Sequence, residues 1–191
     1  RAAAREAAER ALQLDSTAYE ARYAMMAYWA YVIDGLGQDH SRQMEIVTSA
    51  RALLEEQPDD ARVRYTLAWV LAHQRETFDE AVQQFERAAK DPNFAAVSWM
   101  SIAWGRREAG EHQAAERAIQ KSRAAVETPE NLMAAALNEL EWRGDLDAAE
   151  ALVNQISQRD LQDEAIGSMA TWVQMWRREP QDVLRYLQYQ S

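Results

Sequence analysis

The chain has 191 residues, 48% of them apolar, and its 31 acidic and 21 basic side chains leave a formal net charge of -10. Such a charge repels a phosphate backbone, which argues against nucleic acid as a partner. Cysteine is absent, so disulfides, thiolate metal sites and cysteine nucleophiles are excluded, while cytoplasm and periplasm both stay open as compartments.

Only six glycines and four prolines punctuate a chain rich in Ala, Glu, Arg, Gln and Leu, the composition of helices joined by short turns. The fold class is therefore read as all-α. The chain opens at Arg1 inside a helical pattern, with Ala4, Ala8 and Ala11 on one face and Leu14-Asp15-Ser16 at its end. This reads as the second helix of a hairpin begun upstream, so the chain reads as part of a longer protein. The next unit, 17–57, is longer than those after it, with the excess placed in a loop over 35–40 before a helix capped by Ser41. The most apolar stretch, 23–33, is too short to span a membrane, and no direct membrane insertion is expected.

Pro58 and Pro92 lie 34 residues apart, each after a polar helix end, and proline both stops one helix and seeds the next. Between them, helical spacing predicts helices over 62–74 and 79–89, with Thr77 capping the second. A further hairpin runs over 94–123 and turns at Gly110; another runs over 129–158 and turns at Gly144-Asp145. The last unit starts at Asp160, breaks at Glu179-Pro180 and closes with a short helix over 181–189.

The units share a period. Ala81, Ala115 and Ala149 recur at 34-residue intervals, and Gly110 and Gly144 repeat that interval. A fixed period of this length signals stacked helical hairpins, none of which buries its apolar face alone. The domain reading is one array over 1–191, divided at 1–16, 17–57, 58–92, 93–128, 129–158 and 159–191.

With that register, the sequence resembles the tetratricopeptide repeat (TPR) family. The unit around Gly110 matches the family signature with Trp99, Ile102, Ala103, Gly110, His112, Ala115 and Ile119. The next matches with Met133, Ala136, Leu137, Leu140, Gly144, Leu146, Ala149 and Val153, and the one before with Leu67, Ala68, Leu71, Phe78, Ala81, Phe85, Ala88 and Pro92. The first unit departs through its length, and the last lacks the turn glycine and carries Val183 where a small residue is expected. The resemblance implies an α-solenoid of about five antiparallel hairpins in a right-handed superhelix. It also implies a concave groove, lined by first helices, that binds peptides or protein segments, and no reaction.

Aligning the units puts Trp69, Trp104, Asn138 and Trp172 at equivalent places on successive first helices, which the resemblance assigns to the concave face. Tyr23, Tyr65 and Met100 form a row one turn earlier, and Arg107, Trp142, Met175 and Trp176 fall nearby at helical spacing. These eleven residues are the candidate partner-binding groove, because Trp and Tyr supply large contact area at low entropic cost. The opposing reading buries the same aromatics between hairpins, as expected for Trp99, Tyr28 and Trp29. A third fills the groove with a segment of the protein's own chain.

Some TPR proteins clamp a terminal carboxylate with Lys and Asn; here only Asn138 fits that pattern, so the expected ligand is an apolar or amphipathic segment with basic flanks. His40, His73 and His112 share no ligand spacing, so no metal and no cofactor is expected. The acidic pairs Glu55-Glu56 and Asp59-Asp60 lie at helix ends and have no nucleophile beside them, so no enzyme is expected. The function read from the sequence is a protein-interaction scaffold within a larger bacterial-type regulatory or export protein. A structural spacer or self-association module stands as the alternative. An RNA-binding helical repeat ranks lower on charge.

Overall fold

A computed structural model describes the backbone of residues 2–36 and 40–178. Positions 37–39 of the expected loop, and the break and closing helix expected over 179–189, lie outside the described residues. Among those described, regular structure is entirely helical: α1 Ala2–Leu14, α2 Tyr19–Leu36, α3 His40–Glu56, α4 Ala61–Leu71, α5 Phe78–Ala88, α6 Pro92–Glu108, α7 His112–Ala125, α8 Pro129–Asn138, α9 Leu146–Val153 and α10 Glu164–Arg178. Two compact units divide the chain within α6, at Ser101 and Ile102.

In the first unit α2 packs against α1, α3 and α4. A helix contacted on several sides must be apolar around much of its circumference, which accounts for the run of Met, Tyr, Trp and Val through α2. The extra length of the first unit goes into two long helices, because Gly35 and Leu36 belong to α2 and His40 opens α3. Ser41 therefore lies inside α3 and is not its cap, a shift of the kind expected at a helix end. Asp60 caps α4, its Oδ1 accepting from the backbone N–H groups of Arg62 at 2.9 Å and Val63 at 3.3 Å.

The α4–α5 hairpin closes on small residues. Ala68, Ala81 and Ala88 are fully buried beside Phe85, so the two backbones approach closely and the phenyl ring fills the remaining space. Thr77 occupies the position before α5, as expected, but serves the other helix: its Oγ1 donates to the carbonyls of Leu71 at 2.5 Å and Gln74 at 3.2 Å. Its backbone, at φ -105° and ψ 1°, is outside the extended region from which a cap side chain reaches the next N–H groups.

The second unit is organised around α8. Thr128 and Asn131 form a reciprocal capping box, with Pro129 in the first turn, where its missing N–H costs nothing. Buried Asn131 also donates to the Val126 carbonyl at 2.8 Å, tying the start of α8 to the end of α7. After α8 the chain continues through a π-helical turn, Glu139–Arg143, and reverses at Gly144 with φ 66°. Gly110 turns between α6 and α7 in the same left-handed conformation, φ 74°. Leu132, Met133, Leu137 and Leu140 meet Ala149 and Val153 of α9 and Ile166, Ala170 and Val173 of α10 in one apolar cluster.

Candidate functional site

The candidate residues fall into both units. In the first, Tyr65 and Trp69 lie one turn apart on α4 with ring centroids 6.4 Å apart and planes at 24°. Tyr65 also meets Phe85 at 5.5 Å and Phe94 at 5.7 Å, so its ring joins the hairpin core to the half-buried indole of Trp69. His73 stands edge-on to Trp69 at 5.6 Å. Met100 is only 8% exposed.

Tyr23, on α2, lies under the Arg62 guanidinium at 4.7 Å. Arg62 also grips both carboxylate oxygens of Glu20, at 3.0 and 2.9 Å, and reaches Asp60 Oδ2 at 2.7 Å. The Tyr19 hydroxyl donates to the same Asp60 oxygen at 3.0 Å. Burial pushes the Asp60 carboxyl upward, but the hydrogen bonds from Arg62, Tyr19 and two backbone N–H groups outweigh it and hold the group below its ordinary 3.8. Burial, then the hydrogen bond to Asp60, pushes the Tyr19 phenol up to about 12. Burial likewise raises Tyr23.

In the second unit Trp104 and Trp176 pack against the apolar cluster of α8, α9 and α10. The Arg107 guanidinium sits 4.8 Å from the Trp104 centroid and grips both oxygens of Glu141 at 2.6 and 2.7 Å. Trp142, 40% exposed, carries Arg143 at 4.3 Å over its ring, and Arg143 pairs in turn with Glu139. Met175 is 44% exposed. Asn138 is fully enclosed, its Nδ2 donating to Glu116 Oε2 at 3.0 Å, so it acts on the surface only through its neighbours. The Trp172 side chain lies outside those described.

Sequence reasoning missed the arginine lids. Arg62, Arg107 and Arg143 each cover an aromatic ring while a carboxylate neutralises the guanidinium. Such a stack contributes about 0.5–1 kcal/mol at an exposed site, and an exposed ion pair at most about 1 kcal/mol. A signal existed for one of them: Arg107 and Glu141 are one repeat period apart, 34 residues. Among the described residues, no group of His, Asp and Glu is arranged to hold a metal ion, and no helix is long and apolar enough to cross a membrane.

Helical hairpins closed on small residues and turned at left-handed glycines define an all-α helical repeat of the α-solenoid class. No protein-family model matches the sequence, and no curated protein matches it. The fold is shared with the crystal structure of a thermophilic TPR protein from Thermus thermophilus, at a TM-score of 0.67 over 88% of this chain and 87% of that one. Sequence identity is 20%, so the likeness is one of fold.

Proposed function

We propose that the chain is a non-catalytic protein-interaction scaffold that holds a peptide or protein segment against the aromatic residues of its first helices. The observation that carries this reading is Trp142: a large apolar side chain, it is 40% exposed on the turn that follows α8. Its unit offers Met175 as a further exposed apolar side chain, with Trp104, Arg107 and Trp176 as support. In the first unit the reading takes Tyr23, Tyr65 and Trp69 as the corresponding surface, together with Met100, which is only 8% exposed. Asn138 and Trp172 complete the equivalent row read from the sequence.

A segment with apolar anchors and basic flanks suits a chain of net charge -10, which steers cationic partners toward it. The setting we favour is a larger bacterial-type regulatory or export protein, on the pattern of a long first unit followed by regular ones. Photo-crosslinking tests the reading: a benzophenone amino acid at position 142 is expected to capture one defined protein segment, identified by mass spectrometry. Crosslinks only to a second copy of this chain would instead favour self-association.

A further inference from the structure

A second feature lies in the first unit and shares no residue with the proposed aromatic surface. Arg64 of α4, with Arg87 and Lys90 at the end of α5, lines one cavity of about 480 Å³ together with Asp59 and Asp91. That volume lies within the range of small-ligand sites, roughly 300–1,000 Å³. Arg5, Arg22, Arg42, Arg51 and Arg62 of the same unit each pair with a carboxylate. Among the described residues Arg64, Arg87 and Lys90 pair with none. Arg64 is held by neutral acceptors, its Nη1 donating to Gln84 Oε1 at 2.9 Å and its Nη2 to the Pro58 carbonyl, so its charge is not offset. Asp91 is engaged locally: its Oδ1 accepts from the backbone N–H of Asn93 at 2.8 Å and from the Asn93 Nδ2 at 3.0 Å. Arg87 and Lys90 are exposed, so a ligand in the cavity reaches both. Their place at the C-terminal end of α5 complements the helix dipole, but that does not account for Arg64, which comes in from α4.

We propose that this cavity binds a small sugar phosphate, its phosphate among Arg64, Arg87 and Lys90 and a sugar hydroxyl donating to Asp59. The sign of the ligand follows from the cations. In a chain with 31 acidic and 21 basic side chains, three cations without a carboxylate partner converge on one cavity. A phosphate monoester carries a charge of roughly -1.5 to -2 near neutral pH and three strong acceptor oxygens, so it offsets more of this charge than a carboxylate does. The planar fork of arginine also matches phosphate oxygens. Asp59 gives the rest of the ligand its character: an ionised carboxylate only accepts, so it favours hydroxyl donors beside the phosphate.

The test is calorimetric titration of the full chain with glucose 6-phosphate, set beside glucose, glucuronate and inorganic phosphate. Saturable one-to-one binding of glucose 6-phosphate is expected, with glucuronate and inorganic phosphate each weaker by about tenfold and no binding of glucose. An Arg87→Gln, Lys90→Gln variant of unchanged helicity is expected to lose about tenfold or more in affinity, at least one charge-assisted hydrogen bond. Arg10→Gln, Arg75→Gln makes the same change of net charge at exposed positions that do not line the cavity, and is expected to bind as the wild type does. Asp59→Ala is expected to remove the advantage of glucose 6-phosphate over inorganic phosphate. Absence of saturable binding to the wild-type chain, glucose or glucuronate binding as tightly as the phosphate ester, or an equal loss in the two double variants would each overturn the assignment.

Discussion

Asp60 does three jobs with one carboxylate: it caps α4, pairs with Arg62 and accepts from Tyr19. Asp60→Ala is expected to cost about 1–2 kcal/mol by urea unfolding, the range for a lost cap. Its pH dependence has a definite sign. The folded chain holds this carboxyl below 3.8, so its contribution is whole above that value and drains as pH falls through the lower folded value. Tyr19 runs the other way, since its phenol is raised from 10 to about 12; that contribution is whole below pH 10 and is lost as pH rises toward 12. Unfolding free energy measured against pH is expected to fall at both ends; Asp60→Asn is expected to flatten the acid limb and to reduce the alkaline one only in part, because burial is the larger cause of the Tyr19 shift. The aromatics separate at this scale as well. Trp104→Ala is expected to cost about 3 kcal/mol because the indole packs on the core, whereas Trp142→Ser is expected to cost about 1 kcal/mol or less.

Among the elements, the turns carry the sharpest expectations. Gly144 has φ 66° and open space around a would-be Cβ, so Gly144→Ala pays only for backbone conformation, about 1 kcal/mol. Gly167 has no such conformation, yet a Cβ there would lie 2.5 Å from the Leu161 carbonyl oxygen. Alanine ordinarily favours a helix interior by about 1 kcal/mol, but here the clash is expected to win and destabilise by about 1–3 kcal/mol. Thermal unfolding of the two variants checks both signs. The same elements show what the sequence made legible. Gly110, Gly144 and Pro92 announce turns through backbone chemistry that holds in any context. Thr77 does not: whether its hydroxyl serves the helix before or after depends on a local ψ that no spacing encodes. The long helices α2 and α3 were likewise hidden, because Gly35 and Gly37 read as a loop while Gly35 belongs to α2.

Over the whole molecule, the 34-residue recurrence of Ala81, Ala115 and Ala149 has a direct structural counterpart, since all three are fully buried. Ala115→Leu is expected to overpack its hairpin and destabilise by about 1–3 kcal/mol, measured by chemical unfolding. The fold was thus readable from small residues that recur because two backbones must approach. The candidate site was readable only in outline: a tryptophan on a first helix fits a core or a surface equally, and burial alone separates Trp104 from Trp142. Asn138, placed in the same row as those tryptophans by register, is enclosed, with Glu116 accepting from its amide. The most direct measurement of the scaffold reading is quantitative affinity capture from native lysate, comparing the wild-type chain with a Trp142→Ser, Met175→Ser variant of equal helicity and equal monomeric mass. A partner held by the wild type and lost by the variant is the predicted result; full retention of every partner by the variant would contradict it.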